Sequence, residues 1–178
     1  MTIHILKNPK TPNYKKLKSL VLSLDFPWHN CRTMGPNPDG HMFSSHCFLM
    51  RPDDIKIPLS TSDHMNLCYE VLIEILKFNK LEVNCFFRMN ANKTYPDSGN
   101  GDKFSRMHMD HSWKNHNNIL IYLNNAGGKT IIPRIGKKRF MSRSHDPKED
   151  DIIKFGGLVH AHEYPKKDPR VVLVGTYM

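Results

Sequence analysis

The chain has 178 residues, of which 39% are hydrophobic, enough for one domain with a packed core and too few for two comfortable ones. No run approaches the roughly 20 apolar residues of a membrane span. Residues 1–10 contain no apolar segment of the secretory kind, so the expected location is the cytoplasm (a host cytoplasm if the source is viral). The net charge of +9 favours acidic partners, nucleic acid included, although most basic residues are interleaved with acids. Cys31, Cys47, Cys68 and Cys85 form no C-x-x-C pair, which argues against a zinc ribbon and for buried free thiols.

Taken in chain order, Thr11-Pro12 followed by Leu17, Leu20, Val21 and Leu24 predicts a capped amphipathic helix. Thr11 is its N-cap, and Pro12 stands at the first helical position, where a missing N–H costs nothing. Residues 26–60 are rich in Pro and Gly and read as loops and short strands, one of them around His46–Met50. A second helix is expected from Ser62 to Asn79. It places Cys68, Leu72, Ile75, Leu76 and Asn79 on one face and Asp63 in the first turn, where negative charge suits the helix dipole.

After Lys80 the texture changes. Residues 83–89, 119–123, 129–132, 151–155 and 170–174 are short, β-rich and bounded by Gly, Pro, Asn or Asp. Strands without helices between them argue against a parallel α/β sheet. The expected fold is mainly β, a double-stranded β-helix (a jelly roll, cupin-like in architecture), in one domain over 1–178. Its β core is placed in 81–178 and its helical and irregular support in 1–80.

His108-Met109-Asp110 sets an imidazole and a carboxylate at i and i+2, which project to the same side of an extended chain. With His and Asp this abundant, roughly one such pair is expected by chance, so the pair gains weight only from its downstream partners. About fifty residues on, the strand-like segment from Asp151 ends in His160, and Arg170 opens the last apolar run. Two histidines and one carboxylate are the ligand set of a non-haem iron facial triad, which leaves coordination positions open. A keto acid and dioxygen fit those positions, and the planar fork of Arg170 suits a distal carboxylate.

The order His108-x-Asp110, Tyr122-Leu-Asn124, Gly127-Gly128-x-Thr130, His160, Arg170 resembles that of the 2-oxoglutarate/Fe(II) oxygenases. Within them it is similar to the prolyl-4-hydroxylase-type branch and to compact oxygenases encoded by phages. The resemblance spans about residues 83–178, with an echo in Phe26-Pro-Trp28. It implies that His108, Asp110 and His160 ligate Fe(II) and that Arg170 binds the C5 carboxylate of 2-oxoglutarate. Tyr122 would donate a hydrogen bond to that carboxylate. Tyr95, in a Tyr-Pro segment matched with a three-residue shift, would also reach the cosubstrate.

The reaction implied is O2-dependent, with 2-oxoglutarate going to succinate and carbon dioxide, and ascorbate as a possible stimulant. The substrate would be hydroxylated; a prolyl residue in a protein or peptide is the first candidate, and a small molecule or a nucleobase the others. His162 competes with His160 as the distal ligand, the ten-residue spacing to Arg170 favouring His160. Lys129 stands where the family often has glutamate. Thr176 stands where the nucleic-acid demethylases of the superfamily have a second arginine.

Other features have ordinary readings beside functional ones. His111 and His116 suit hydrogen-bonded loop histidines or a second metal site. Trp113 suits the substrate mouth or simple packing, and Asn90 and Asn92 a pocket wall or chain caps. Arg134, Lys137, Lys138, Arg139 and Arg143, around an expected turn at Gly136, suit a solvated hairpin or a polyanion grip. The competing function is accordingly a basic jelly-roll module that binds nucleic acid without catalysis. A cupin is disfavoured because its metal motif needs His-x-His with a following glutamate, and His160-Ala161-His162-Glu163 lies too close to the last strand.

Overall fold

Thr11 caps the first helix as its sequence predicts, its hydroxyl accepting from the Tyr14 N–H, and helix α1 runs Pro12–Val21 in the computed structural model. That structure describes residues 3–31, 42–50, 59–99, 101–112, 115–134 and 141–178. Tyr14, Leu17 and Val21 of α1 are buried, but Leu24 lies beyond the helix end and is fully exposed. Helix α2 (Met65–Phe78) starts three residues later than Ser62. The Ser62 hydroxyl accepts from the His64 N–H and meets His46 Nε2, so this side chain turns the chain before the helix begins. Asp63 therefore stands outside the first turn, correcting the dipole reading, and Asn79 is the C-cap.

Among the described residues, antiparallel strands form two sheets. The larger has the order β1 (His4–Leu6), β9 (Ile152–Gly156), β6 (Asn117–Tyr122), β11 (Arg170–Tyr177), β5 (Phe86–Thr94), β3 (Phe43–Met50) and β2 (His29–Cys31), with β4 (Leu59–Ser60) beside β3. The smaller is β10 (Ala161–His162), β7 (Thr130–Arg134) and β8 (Met141–His145). Strands from before residue 80 thus extend the large sheet at both edges. The predicted strands all shift by a residue or more, most of all β5, which runs Phe86–Thr94 while Val83 packs against the helix-side core, and β11, which continues to Tyr177.

The period-2 alternation of the central strands builds two cores, one on each face of the large sheet. Ile119, Ile121, Val171 and Leu173 face α1 and α2, packing on Leu17, Leu72, Ile75 and Leu76. Leu120, Tyr122, Val172 and Val174 face the other way, packing with Ile132, Ile153 and Phe155 between the sheets. The four thiols are free; Cys68 is buried and the other three only half-buried, less than the sequence suggests.

Asp150, in the turn before β9, locks α1 to the sheet. Its carboxylate takes Lys10 at 2.8 Å, and Lys18 and the Tyr14 hydroxyl also bind it. Burial pushes this carboxyl up, but the hydrogen bonds from Lys10, Lys18 and Tyr14 outweigh it and hold it at about 2. In the unfolded chain this carboxyl titrates at about 3.9. The folded value is the lower one, so the stabilisation is full above about pH 4 and fades as the pH falls toward about 2. Asp150→Asn keeps a residue tolerant of the left-handed backbone found there (φ 70°). It is expected to cost about 1–2 kcal/mol at pH 7, discounted for partial exposure. Urea denaturation should show the gap to wild type closing between pH 4 and 2.

Candidate active site

The space between the two sheets opens as a cavity of about 280 Å³. Its walls include Leu120, Thr130, Arg170, Val172 and Val174 from the strands, with His108, Asp110 and His160 at one side. His108 and His160 pair as an isolated antiparallel bridge, each backbone N–H donating to the other's carbonyl at 3.0 and 2.9 Å. Asp110 follows in a bend rather than in a regular strand. The bridge nonetheless brings one ligand atom from each of the three residues within 4.8 Å of the others.

The donor set fits a divalent metal. His108 Nδ1 lies 3.0 Å from the Arg106 carbonyl, and His160 Nδ1 lies 2.9 Å from the Leu158 carbonyl. A carbonyl only accepts, so each Nδ1 carries the proton and each Nε2 keeps its lone pair for a metal. Asp110 Oδ2 is buried and makes no hydrogen bond among the described residues. It stands 3.5 Å from His160 Nε2. Burial would raise the Asp110 carboxyl, but His160, Arg88, His108 and His111 outweigh it and hold it below its ordinary range. Burial lowers His160, against the pull of Asp110, favouring the neutral ring that ligation needs.

Arg170, at the start of β11, is 4% exposed. Its Nε donates to the Gly128 carbonyl at 3.0 Å and its Nη2 to Thr130 Oγ1 at 3.2 Å, and its guanidinium lies 5.2 Å from the centre of the Tyr122 ring. No carboxylate pairs with it among the described residues, so a buried cation lines the cavity with neutral partners only. Burial pulls its pKa below the usual guanidinium range, with Tyr122 opposing. Such a group lacks an anion, and a bound carboxylate would supply it.

No protein-family profile matches the chain, and no curated protein matches it in sequence. Solved structures do. A 2OG-Fe(II) oxygenase family oxidoreductase from Burkholderia pseudomallei superposes with a TM-score of 0.73 at 14% identity, covering 98% of this chain and 84% of the other. The non-heme alpha ketoglutarate dependent epimerase SnoN from nogalamycin biosynthesis gives 0.62 at 9% identity over 99% and 77%. A prolyl hydroxylase from Trichoplax adhaerens, solved with a hypoxia inducible factor peptide fragment, gives 0.62 at 11% over 99% and 83%. The chain has the fold of the 2-oxoglutarate/Fe(II) oxygenases.

Within this oxygenase fold the Gly-Gly-x-Thr segment acquires a physical reason. Gly128 has φ 79°, and a Cβ there would meet Arg170 Cδ at 2.6 Å and the Glu163 carbonyl at 2.8 Å. Gly128→Ala is expected to cost about 2 kcal/mol, combining left-handed strain with overpacking. It should also displace the Arg170 fork, and a lowered thermal unfolding temperature is the measurement that reports the strain.

The remaining predicted residues divide. The Tyr122 hydroxyl lies 2.7 Å from Thr130 Oγ1, and Tyr122 is not among the cavity-lining residues. It braces Thr130 and Arg170. The Tyr95 hydroxyl pairs with Ser44 Oγ at 3.0 Å, and Tyr95 does not line the cavity either. His162 lines the cavity beside His160, yet His160 is the histidine that converges with His108 and Asp110. Buried His111 hydrogen-bonds Thr176 Oγ1 through Nε2 and stands edge-on to His116. Asn92 reaches the cavity wall, whereas Asn90 lies buried behind it.

Trp113, Gly136, Lys137, Lys138 and Arg139 lie outside the described residues. Strands β7 and β8 that flank the basic segment pair antiparallel, with Arg134 opposite Met141. No described helix is long and apolar enough to cross a membrane. Sequence reasoning missed Arg88, which lines the cavity with Nη1 3.6 Å from Asp110 Oδ1. Arg88 pairs in register with Thr176, so a cation from the neighbouring strand stands across from the position where the demethylases carry their second arginine.

Proposed function

We propose that the protein is an Fe(II)- and 2-oxoglutarate-dependent dioxygenase that hydroxylates an aliphatic C–H bond. The observation that carries this reading is one cavity lined both by a convergent His108–Asp110–His160 cluster and by a buried arginine that lacks an anion. His108, Asp110 and His160 would hold the ferrous ion through Nε2, a carboxylate oxygen and Nε2. Iron(II) with O2 and 2-oxoglutarate supplies the oxidising power for the C–H bond, at the cost of decarboxylating the keto acid to succinate.

The chain's own residues position the reactants and exclude water. The Arg106 and Leu158 carbonyls fix the imidazole rings. Arg170, braced by Gly128, Thr130 and Tyr122, takes the C5 carboxylate and so sets how the keto acid lies along the cavity. Leu120, Val172 and Val174 furnish an apolar wall that keeps water from the reacting centre. A prolyl residue in a peptide is the candidate substrate that fold analogy with the Trichoplax prolyl hydroxylase suggests, and the side chains lining this chain's own cavity decide between it and other aliphatic groups.

The test is succinate formation from 2-oxoglutarate with Fe(II) and ascorbate in air, comparing wild type with His108→Ala. Iron-dependent succinate that disappears in the variant is the expected result. Absence of both turnover and 2-oxoglutarate binding in metal-loaded wild type would overturn the reading.

A further inference from the structure

Strand β5 presents Arg88, Asn92 and Thr94 to the cavity, with Asn90 on the same face behind the wall. Arg88 Nε donates to Asn90 Oδ1 at 2.9 Å, Asn90 Nδ2 donates to Asn92 Oδ1, and Ser45 Oγ donates to that same Asn92 oxygen. This ladder tethers the guanidinium by its Nε edge and leaves the two Nη groups toward the cavity. The single carboxylate near them among the described residues is Asp110, at 3.6 Å. That separation makes a long ion pair, beyond the roughly 2.7–3.2 Å of a formed hydrogen bond. The Arg88 side chain is 34% exposed and reachable from outside. Met107, Met109 and Val159, next to the two histidines in sequence, are exposed apolar side chains, and Met109 lines the cavity.

Arg88 and Arg170 enter the cavity from different strand positions: Arg88 pairs with Thr176, six residues along β11 from Arg170. Arg170 has no carboxylate partner among the described residues, and Arg88 has only its long pair with Asp110, a carboxylate that the proposed metal would take. The site also shares its 280 Å³ with the keto acid, which leaves room for a small molecule or one side chain.

We propose that Arg88 binds a carboxylate of the molecule to be oxidised, so that the prime substrate is an aliphatic carboxylate, either free or displayed by a peptide. This rests on the oxygenase reading and adds the substrate's chemical class to it. Arg88 is thereby a specificity residue: the fork grips the carboxylate and the apolar side chains receive the aliphatic part.

The experiment uses full-length protein loaded with Zn(II) and 2-oxoglutarate, in which nothing turns over. Ligand-observed NMR follows three probe sets: the free standard amino acids with small aliphatic acids, the same compounds as primary amides, and amide-capped tripeptides with a central Asp, Glu or Pro. The expected result is binding of acids over amides, weakened at least tenfold in Arg88→Gln and partly retained in Arg88→Lys. In both variants the 2-oxoglutarate affinity should stay within twofold of wild type. Binding confined to the free acids assigns a small-molecule source, and binding of the Asp or Glu tripeptides a peptide source.

Equal binding of acids and amides, preference for the Pro tripeptide without an acid, no binding by any probe, or acid binding unaffected by Arg88→Gln would overturn the inference. Loss of 2-oxoglutarate binding in Arg88→Gln would assign the residue to the cosubstrate and overturn it as well. So would a fall in Zn(II) affinity with no change in anion selectivity, which would mark Arg88 as a mere support for Asp110. Failure of the oxygenase reading itself is distinct, because wild type would then not bind 2-oxoglutarate at all.

Discussion

Alanine in place of Asp110 is expected to lower Fe(II) affinity at least a hundredfold and to abolish 2-oxoglutarate-dependent succinate formation. Asp110 supplies the only carboxylate of the cluster, and its Oδ2 is buried and unbonded among the described residues. Neutral imidazoles alone bring no negative charge to a divalent ion, and the loss of one of three ligands exceeds the roughly 10- to 100-fold effects of outer partners. Thermal unfolding provides a readout independent of turnover. Metal at a hundred times its dissociation constant stabilises a folded protein by about 2.7 kcal/mol, or roughly 5–10 °C for a chain of this size. Wild type should show that rise with Fe(II) under nitrogen, and Asp110→Ala should show none. An undiminished rise in the variant would mean that the metal binds elsewhere.

Arg170→Met is expected to separate binding from stability. A carboxylate held by a buried guanidinium fork loses about 3–4 kcal/mol when the fork is removed, which is two to three orders of magnitude in 2-oxoglutarate affinity. Yet the ligand-free protein should unfold at a temperature no lower than wild type. Burial depresses the Arg170 pKa, so the folded state disfavours this charge relative to the unfolded state, and only neutral partners compensate it. Methionine fills similar volume without a charge to desolvate. A variant that loses stability and keeps 2-oxoglutarate affinity would make Arg170 a structural residue and remove the main support for the keto acid.

Chemistry carried on short spacings was legible along the chain. His108 and Asp110 are two residues apart and His160 precedes Arg170 by ten, so the cluster and its arginine could be read from linear order. The helices were legible because their apolar spacing repeats over several turns, although the start of α2 was set by a Ser62 bond to His64 that no periodicity reports. Strand β1 escaped notice because three residues cannot display alternation. Arg88 was invisible for another reason. Its place beside Asp110 comes from pairing with Thr176, on a strand far away in sequence, and nothing within a window around residue 88 encodes that register. Tyr122 is a related case: its position matched the family order, but its hydroxyl contact with Thr130 depends on strand packing that linear order does not report.

The reciprocal backbone bonds between His108 and His160 bear on how the proposed metal cluster is framed. Their amides and carbonyls hold the two segments together through the main chain. The span between the rings is therefore a property of the polypeptide, present before any ion arrives. An ion at this cluster would meet two imidazoles and one carboxylate already held near one another, and its remaining positions would be left to water or to a bound ligand. The spacing of the cluster thus rests on a pair of peptide groups, and a main-chain change at residue 108 or 160 would alter it even with both side chains left in place.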